Sequence, residues 1–395
     1  MRADDTPDTN IPAMNEPDMN MPGLRLLKAR GRVWSRLPVA LCLGFAVAVL
    51  AIGAAARGPS AAMAQTLTQT ATQTSASRPV VAGTEAPADI SITATPIMAF
   101  DPRDPARRQF GKLLFRGGLA LTSAAKPFGG FSGIVMAADG RRFVAISDRA
   151  WWLTGEIVHD GERPAAITGA RMGPVLGPDG APLTRRGWYD TESLTADGDT
   201  LYAGIERVHR IVRFDFGRDG MAARARTVGL PASFRNLRSN RGIEGLVAVP
   251  KGTHPLSGAL VVFSEGSLDE ARDLRALLLG GPKPGAFSVR RTENYDISDA
   301  ALLPGGDVLI LERKFSWLAG LGIRLRRIAQ QDIAPGRTVD GPVLFEADLG
   351  YHIDNMEGLA VHRDAAGTVV LTMISDDNFS MLQRTLLLQF ALPGE

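Results

Sequence analysis

A single cysteine occurs in 395 residues, and it is Cys42, inside an uncharged apolar run. No thiol follows it, which excludes disulfide staples, a thiolate nucleophile and cysteine-ligated metal from the rest of the chain. Stability there must come from an apolar core, and roughly 300 residues are enough to bury one. Aromatics are scarce at 6% of residues, and the formal net charge is only +2. No basic run is interleaved with aromatics, so the charge pattern gives no support to a nucleic-acid partner. There are five histidines, with no pair at i, i+4 spacing, so zinc by its usual ligands is not indicated. After residue 90 the lysines are Lys112, Lys126, Lys251, Lys283 and Lys314.

Residues 1–36 are polar and end in a basic patch, Arg25, Lys28, Arg30, Arg32 and Arg36. Leu37 to Ala56 then runs without a charge, and Ala62-Met63-Ala64 matches a small-x-small cleavage site. Residues 37–64 read as a signal peptide or a membrane anchor, with cleavage after Ala64 favoured. An apolar run of about 20 residues can span a bilayer if it is not cut. The basic flank precedes the run, so both readings put the remainder outside the cytoplasm. A periplasmic or secreted protein is expected, held to the inner membrane by residues 37–56 only if these stay in place. The large Leu41 argues against a lipidated Cys42. Residues 65–90, rich in Thr, Gln, Ser, Ala and Pro, cannot bury a core and read as a flexible linker. The folded domain is 91–395.

Five short stretches in that domain resemble one another: "FSGIVMA", "DTESLTA", "RGIEGLVAV", "ISDAALL" and "NMEGLAV". Aligning them stacks Ser132, Glu192, Glu244, Asp299 and Glu357, separated by 60, 52, 55 and 58 residues. A Gly-rich turn follows each, then a second apolar stretch ending on an acid: Asp148, Glu206, Glu265, Glu312 and Asp376. Two strands around such a turn make a hairpin. A hairpin repeat near 55 residues indicates an all-β fold, a β-propeller whose units are four-stranded blades. The flanks 92–122 and 384–393 supply a sixth blade, so six is the expected count. The C-terminal strand then closes the ring beside N-terminal strands and removes the sheet edges. With no edge to pair, a monomer is expected. "SLDEARDLRALLLG" is expected as a short inserted helix.

The first strand of a blade lines the central channel, so the aligned acids are expected around one of its ends. The second-strand acids are expected at the blade surface, at the hairpin's other end. A ring of carboxylates repels itself and needs a cation, arginines or protons. Hard cations such as calcium (Ca2+) take several oxygen ligands. The candidate metal ligands are Glu192, Glu244, Asp299, Glu357 and Asp376, with Asp354 and Asn355 nearby. The alternative is that each acid accepts backbone N–H groups at a blade turn. Arg149, Arg207 and Arg313 follow second-strand acids, and Arg241 precedes Glu244. These four are candidates to stabilise negative charge on a bound anion. His352, and less so His209, is a candidate general base.

Taken in order, "FSGI", "SDR", "DTESL", "RGIEGL", "SEG", "LERKFS", "GIRLRRI", "NMEGLAV" and "SDDNFSMLQRTLLLQFAL" resemble the family named for an esterase-like activity of phytase. The resemblance runs from about residue 110 to the C-terminus. It implies an exported, propeller-like hydrolase of esters, most plausibly phosphate esters, and a calcium-bearing acidic channel. A small anionic ester is then the expected substrate. Two alternatives remain open: a calcium-dependent lactonase or carboxylesterase, and a non-catalytic ligand-binding propeller.

Overall fold

A computed structural model describes residues 86–237, 241–252, 254–316 and 320–395. The expected signal or anchor and most of the linker lie outside the described residues. Among the described residues no helix is long and apolar enough to cross a membrane.

The described chain forms five sheets, antiparallel except for one short parallel pair at the edge of the third, arranged as a five-bladed β-propeller. Their inner strands are Phe131–Met136, Thr191–Asp197, Ile243–Ala248, Asp296–Leu302 and Asn355–Arg363. Each packs against the next, and the fifth packs against the first, so the ring is closed. Blades stack on both faces, which is why their middle strands read as nearly unbroken apolar runs. Val369–Asp376 and Thr385–Leu392 are buried along their whole length. Inter-blade apolar layers form the core, led by Leu309, Leu311, Met356 and Phe390 between blades 4 and 5.

The count is five and not six, and strand pairing gives the reason. Thr93–Ile97 pairs with Leu113–Thr122, which pairs with Thr385–Leu392 in the sheet begun by Asn355–Arg363. The flanking segments therefore complete blade 5 instead of forming a sheet of their own. Closure by the C-terminal strand against N-terminal strands holds as expected. Phe100 anchors the N-terminal segment in this blade, with ring centroids of Phe110, Phe115, Phe345, Tyr351 and Phe390 at 4.9–5.6 Å. The inner strands of blades 5 and 1 meet closely. A Cβ on Gly358 would lie 2.6 Å from Ile374 Cγ2 and 3.2 Å from the Gly133 backbone.

The expected inserted helix is absent. "SLDEARDLRALLLG" is a hairpin, the end of Ala259–Leu268 turning into Leu274–Gly280. The Asp269 N–H donates to the Asp273 carbonyl at 2.9 Å, and the Asp269 carboxylate accepts the Asp273 N–H. Local turn chemistry and cross-strand pairing override the helical propensity of Leu and Ala.

Candidate functional site

The site is built by a bulge repeated once per blade. In blades 1, 2, 3 and 5 the first-strand residue skipped by the pairing ladder is Ser132, Glu192, Glu244 and Glu357. In blade 4 it is Ser298, because Ile297 and Asp299 are the residues that pair. A bulge leaves one residue unpaired and re-aims its side chain. Antiparallel pairing sets the end of the second strand beside this bulge. The second-strand residues that follow the pair flanking each bulge are Asp148, Glu206, Glu265, Arg313 and Asp376.

Two tiers thus meet at one end of the channel, around a cavity of about 970 Å³. Seven carboxylates from these tiers line it: Glu192, Glu244 and Glu357 from the bulges, and Asp148, Glu206, Glu265 and Asp376 from the second strands. Four of the five second-strand acids are therefore not at the hairpin's other end, as expected, but in the same cavity.

Blade 4 breaks the pattern twice, with Ser298 in the bulge and Arg313 in the second tier. The Arg313 guanidinium donates to Glu357 of blade 5, to Asn355 Oδ1 at 2.5 Å and to Glu265 of blade 3 at 3.3 Å. Burial alone would lower its pKa, but Glu357, Glu244, Glu265 and Glu192 together raise it.

Burial raises the pKa of Asp148, Glu192, Glu206, Glu244, Glu265 and Asp376. Glu192 and Glu244 are raised well above the usual range, first by burial and then by negative neighbours, Glu357 and Glu192 respectively. Asp376 is pushed up to about 8, by burial and then by Glu357. Asp148 is pushed up to about 6, mainly by burial. Glu206, Glu244 and Glu265 each bring an oxygen to within 4.8 Å of the others. Glu206 also accepts the Gly242 N–H at 2.7 Å. A Cβ at Gly242 would stand 2.5 Å from Glu206 Cγ, so glycine is what lets the two strands approach. Glu244 is 3% exposed, and its Oε2 has no hydrogen-bond partner. An ionised oxygen so placed is costly unless a cation meets it. This donor set, all hard oxygens, fits calcium.

Among the expected metal ligands, Glu192, Glu244, Glu357 and Asp376 line the cavity. Asp299 does not. It is fully buried and accepts the N–H groups of Ala300 at 2.8 Å and Leu359 at 2.7 Å, tying blade 4 to blade 5. One residue of register separates it from the bulge, and a one-residue slip reverses the face of a strand. Glu312 is displaced in the same way. It is fully buried behind Arg313, accepting from Arg324 at 2.6 Å and Arg326 at 2.6 Å.

Of the expected arginines, Arg313 and Arg241 line the cavity. Arg149 and Arg207 follow their acids by one residue, so they point elsewhere. Arg149 lies over the Phe379 ring at 3.2 Å and Arg207 over the Tyr189 ring at 4.3 Å. His352 is half-buried outside the cavity wall, its backbone N–H donating to the Phe100 carbonyl at 2.9 Å. Burial and Arg384 lower its pKa. His209 closes a short turn after Glu206 with φ 46°. Sequence reasoning missed Asp190, Arg291 and Asp296. Arg291 holds Asp296 through two bonds of 2.7 and 3.1 Å, and Arg241 stands 3.6 Å from the same carboxylate. None of the three lies in the repeated stretches at an aligned position, so no periodic signal pointed to them.

Fold and site together define a five-bladed β-propeller with a carboxylate-rich channel mouth in which the half-buried Arg313 meets acids from two blades. The family described as "Phytase-like: Esterase-like activity of phytase" matches residues 126–379, and the chain belongs to it. No curated protein matches the chain. Several solved structures are distantly similar. Glutaminyl cyclase from Myxococcus xanthus is 14% identical, with a TM-score of 0.35 over 67% of this chain and 91% of that one. The α-L-arabinofuranosidase of Podospora anserina, solved in complex with cellotriose, is 10% identical, with a TM-score of 0.41 over 76% and 96%. An aldose sugar dehydrogenase from Streptomyces coelicolor, in its PQQ-bound form, is 13% identical, with a TM-score of 0.34 over 78% and 99%. Likeness at this level says nothing about chemistry.

Proposed function

We propose that the protein is an exported hydrolase of phosphate esters with a divalent cation, calcium by its donor set, at the channel mouth. The observation that carries this reading is the trio Glu206, Glu244 and Glu265, whose oxygens come within 4.8 Å of one another, with Glu206 and Glu244 buried and Glu244 Oε2 left without a hydrogen-bond partner. These three would hold the cation, with Glu192 and Glu357 as neighbouring oxygens. When bound, such an ion polarises an ester oxygen and acidifies a water.

The chain's own residues do the rest. Arg313 is positioned by Glu357, Asn355 and Glu265 before substrate arrives, so its charge needs little reorganisation to face a developing anion. Arg241, whose side chain is 45% exposed, is free to swing toward an entering anion. Arg291 is committed to Asp296. Few cations against many carboxylates favour an ester with one anionic head over a polyphosphate. The N-terminal pattern supports export, and the closed ring supports a monomer.

The test combines calcium titration, thermal unfolding and turnover of p-nitrophenyl phosphate, p-nitrophenyl acetate and a lactone. Calcium is expected to raise the unfolding temperature, and chelation to abolish phosphate-ester turnover. Glu244→Gln is expected to lose the calcium response and roughly 10²-fold or more in kcat/KM. Stability and turnover that ignore chelation overturn the cation. Turnover of acetate or lactone alone moves the reaction to carboxylic esters, and no turnover of any ester leaves a binding propeller.

A further inference from the structure

One sector of the cavity wall is apolar, and most of it belongs to blade 4, which places no carboxylate in the ring. Phe315, Leu349 and Leu382 are 65%, 60% and 94% exposed, and all three line the cavity with Leu321. Large apolar side chains left in water beside a charged pocket mark a contact surface. Their placement is orderly. Phe315 and Leu321 are direct cross-strand partners on Val308–Ser316 and Gly320–Ile328, so they share a face. Arg313 lies two residues before Phe315 on the same unbroken strand, so it shares that face at about 7 Å along it. Leu349 follows the neighbouring strand Val343–Asp348, and Leu382 reaches in from the blade 5 turn between Val369–Asp376 and Thr385–Leu392.

We infer that the ester is an amphiphile: its anionic head sits at Arg313 and its apolar arm lies along Phe315, Leu321, Leu349 and Leu382. This rests on the hydrolase reading above and names the substrate class for it. Charge and shape run together here. A head placed at the guanidinium has its arm on the Phe315 face, whereas the wall of blades 2 and 3 offers Asp190, Glu206, Arg241 and Glu244. The apolar side chains occupy one sector of the mouth and not its circumference, which suits a single arm better than a membrane plane.

The test measures binding of methyl-, butyl- and octylphosphonate to the full-length protein in calcium, by calorimetry. These probes are not hydrolysed, so the result does not depend on turnover. Affinity is expected to rise by roughly two- to fourfold per methylene over the first few carbons. Phe315→Ser and Leu382→Ser are expected to flatten that rise while leaving methylphosphonate binding unchanged. Both side chains are exposed, so the variants are expected to fold, with unfolding temperature as the check. Affinity independent of chain length, or no phosphonate binding, overturns the inference. So does loss of binding to phosphatidylcholine–phosphatidylglycerol vesicles in the same variants with the chain-length rise intact, which would make the sector a membrane contact. If chain length matters but no ester turns over, the hydrolase reading fails and the amphiphile site stands.

Discussion

Arg313 shows how much one position decides. Four blades place an acid there, and the fifth places a cation that meets acids from blades 3 and 5. A different single residue adds an acid-sensitive contribution to the fold. His362 is 8% exposed near the far end of the blade 5 inner strand, and its Nδ1 has no partner. Burial, then His159 and Arg116, push its pKa down to about 4, against weaker opposing pulls from Asp364 and Asp139. The folded state therefore holds His362 neutral where the unfolded chain would be protonated. The stability that His362 contributes is fully present above pH 6.5 and falls as pH drops from there toward about 4. The loss is expected to be about 3 kcal/mol at most. Urea unfolding of wild type and His362→Asn between pH 7 and 4.5 checks it. The variant should lose part of the pH slope, and parallel slopes would assign the acid sensitivity elsewhere.

At the scale of the element, blade 4 is the specialised one. Its second strand alternates Leu309, Leu311, Arg313 and Phe315 toward blade 5 with Ile310 and Glu312 on the opposite face. Glu312 gathers Arg324 and Arg326, and Arg326 also donates to Asp340 at 2.6 Å. Arg324 lies 4.0 Å from the Tyr295 ring centroid. Removing the carboxylate would leave two buried guanidinium groups short of a counter-charge. Glu312→Ala is expected to lower stability by about 3–5 kcal/mol, read as a shift of the denaturant midpoint. A change below about 1 kcal/mol, the scale of an exposed pair, would show that Asp340 for Arg326, and the Thr292 hydroxyl that accepts from Arg324 at 2.8 Å, suffice for the two arginines.

At the scale of the whole molecule, stability depends on ring closure. Blade 5 takes three strands from the C-terminal end and three from the N-terminal segment, Leu113–Thr122, Thr93–Ile97 and the short Gln109–Phe110. Deletion of residues 86–122 would strip all three and leave Thr385–Leu392, fully buried in the intact protein, as a bare apolar edge. The deletion is expected to yield aggregates on gel filtration, with no cooperative thermal transition. A monomer that melts like the full-length protein would mean that the ring closes without those strands.

The hairpin period, the all-β class, the closure by the C-terminal strand and most of the acids at the channel mouth were legible in the chain. Repeated turn residues and repeated apolar runs are local signals, and they survive without knowledge of the fold. Blade number was not legible, because whether 92–122 adds a sheet or completes one depends on pairing with residues more than 260 positions away. Nor was the register of blade 4. "SD" at Ser298–Asp299 and "ER" at Glu312–Arg313 each offer two neighbouring candidates. Only the bulge decides which faces the channel, since adjacent side chains on a strand point to opposite faces. The residue types were set by sequence alone. Tertiary pairing chose the arginine over the glutamate, and so placed a cation beside an apolar wall in a cavity otherwise crowded with carboxylates.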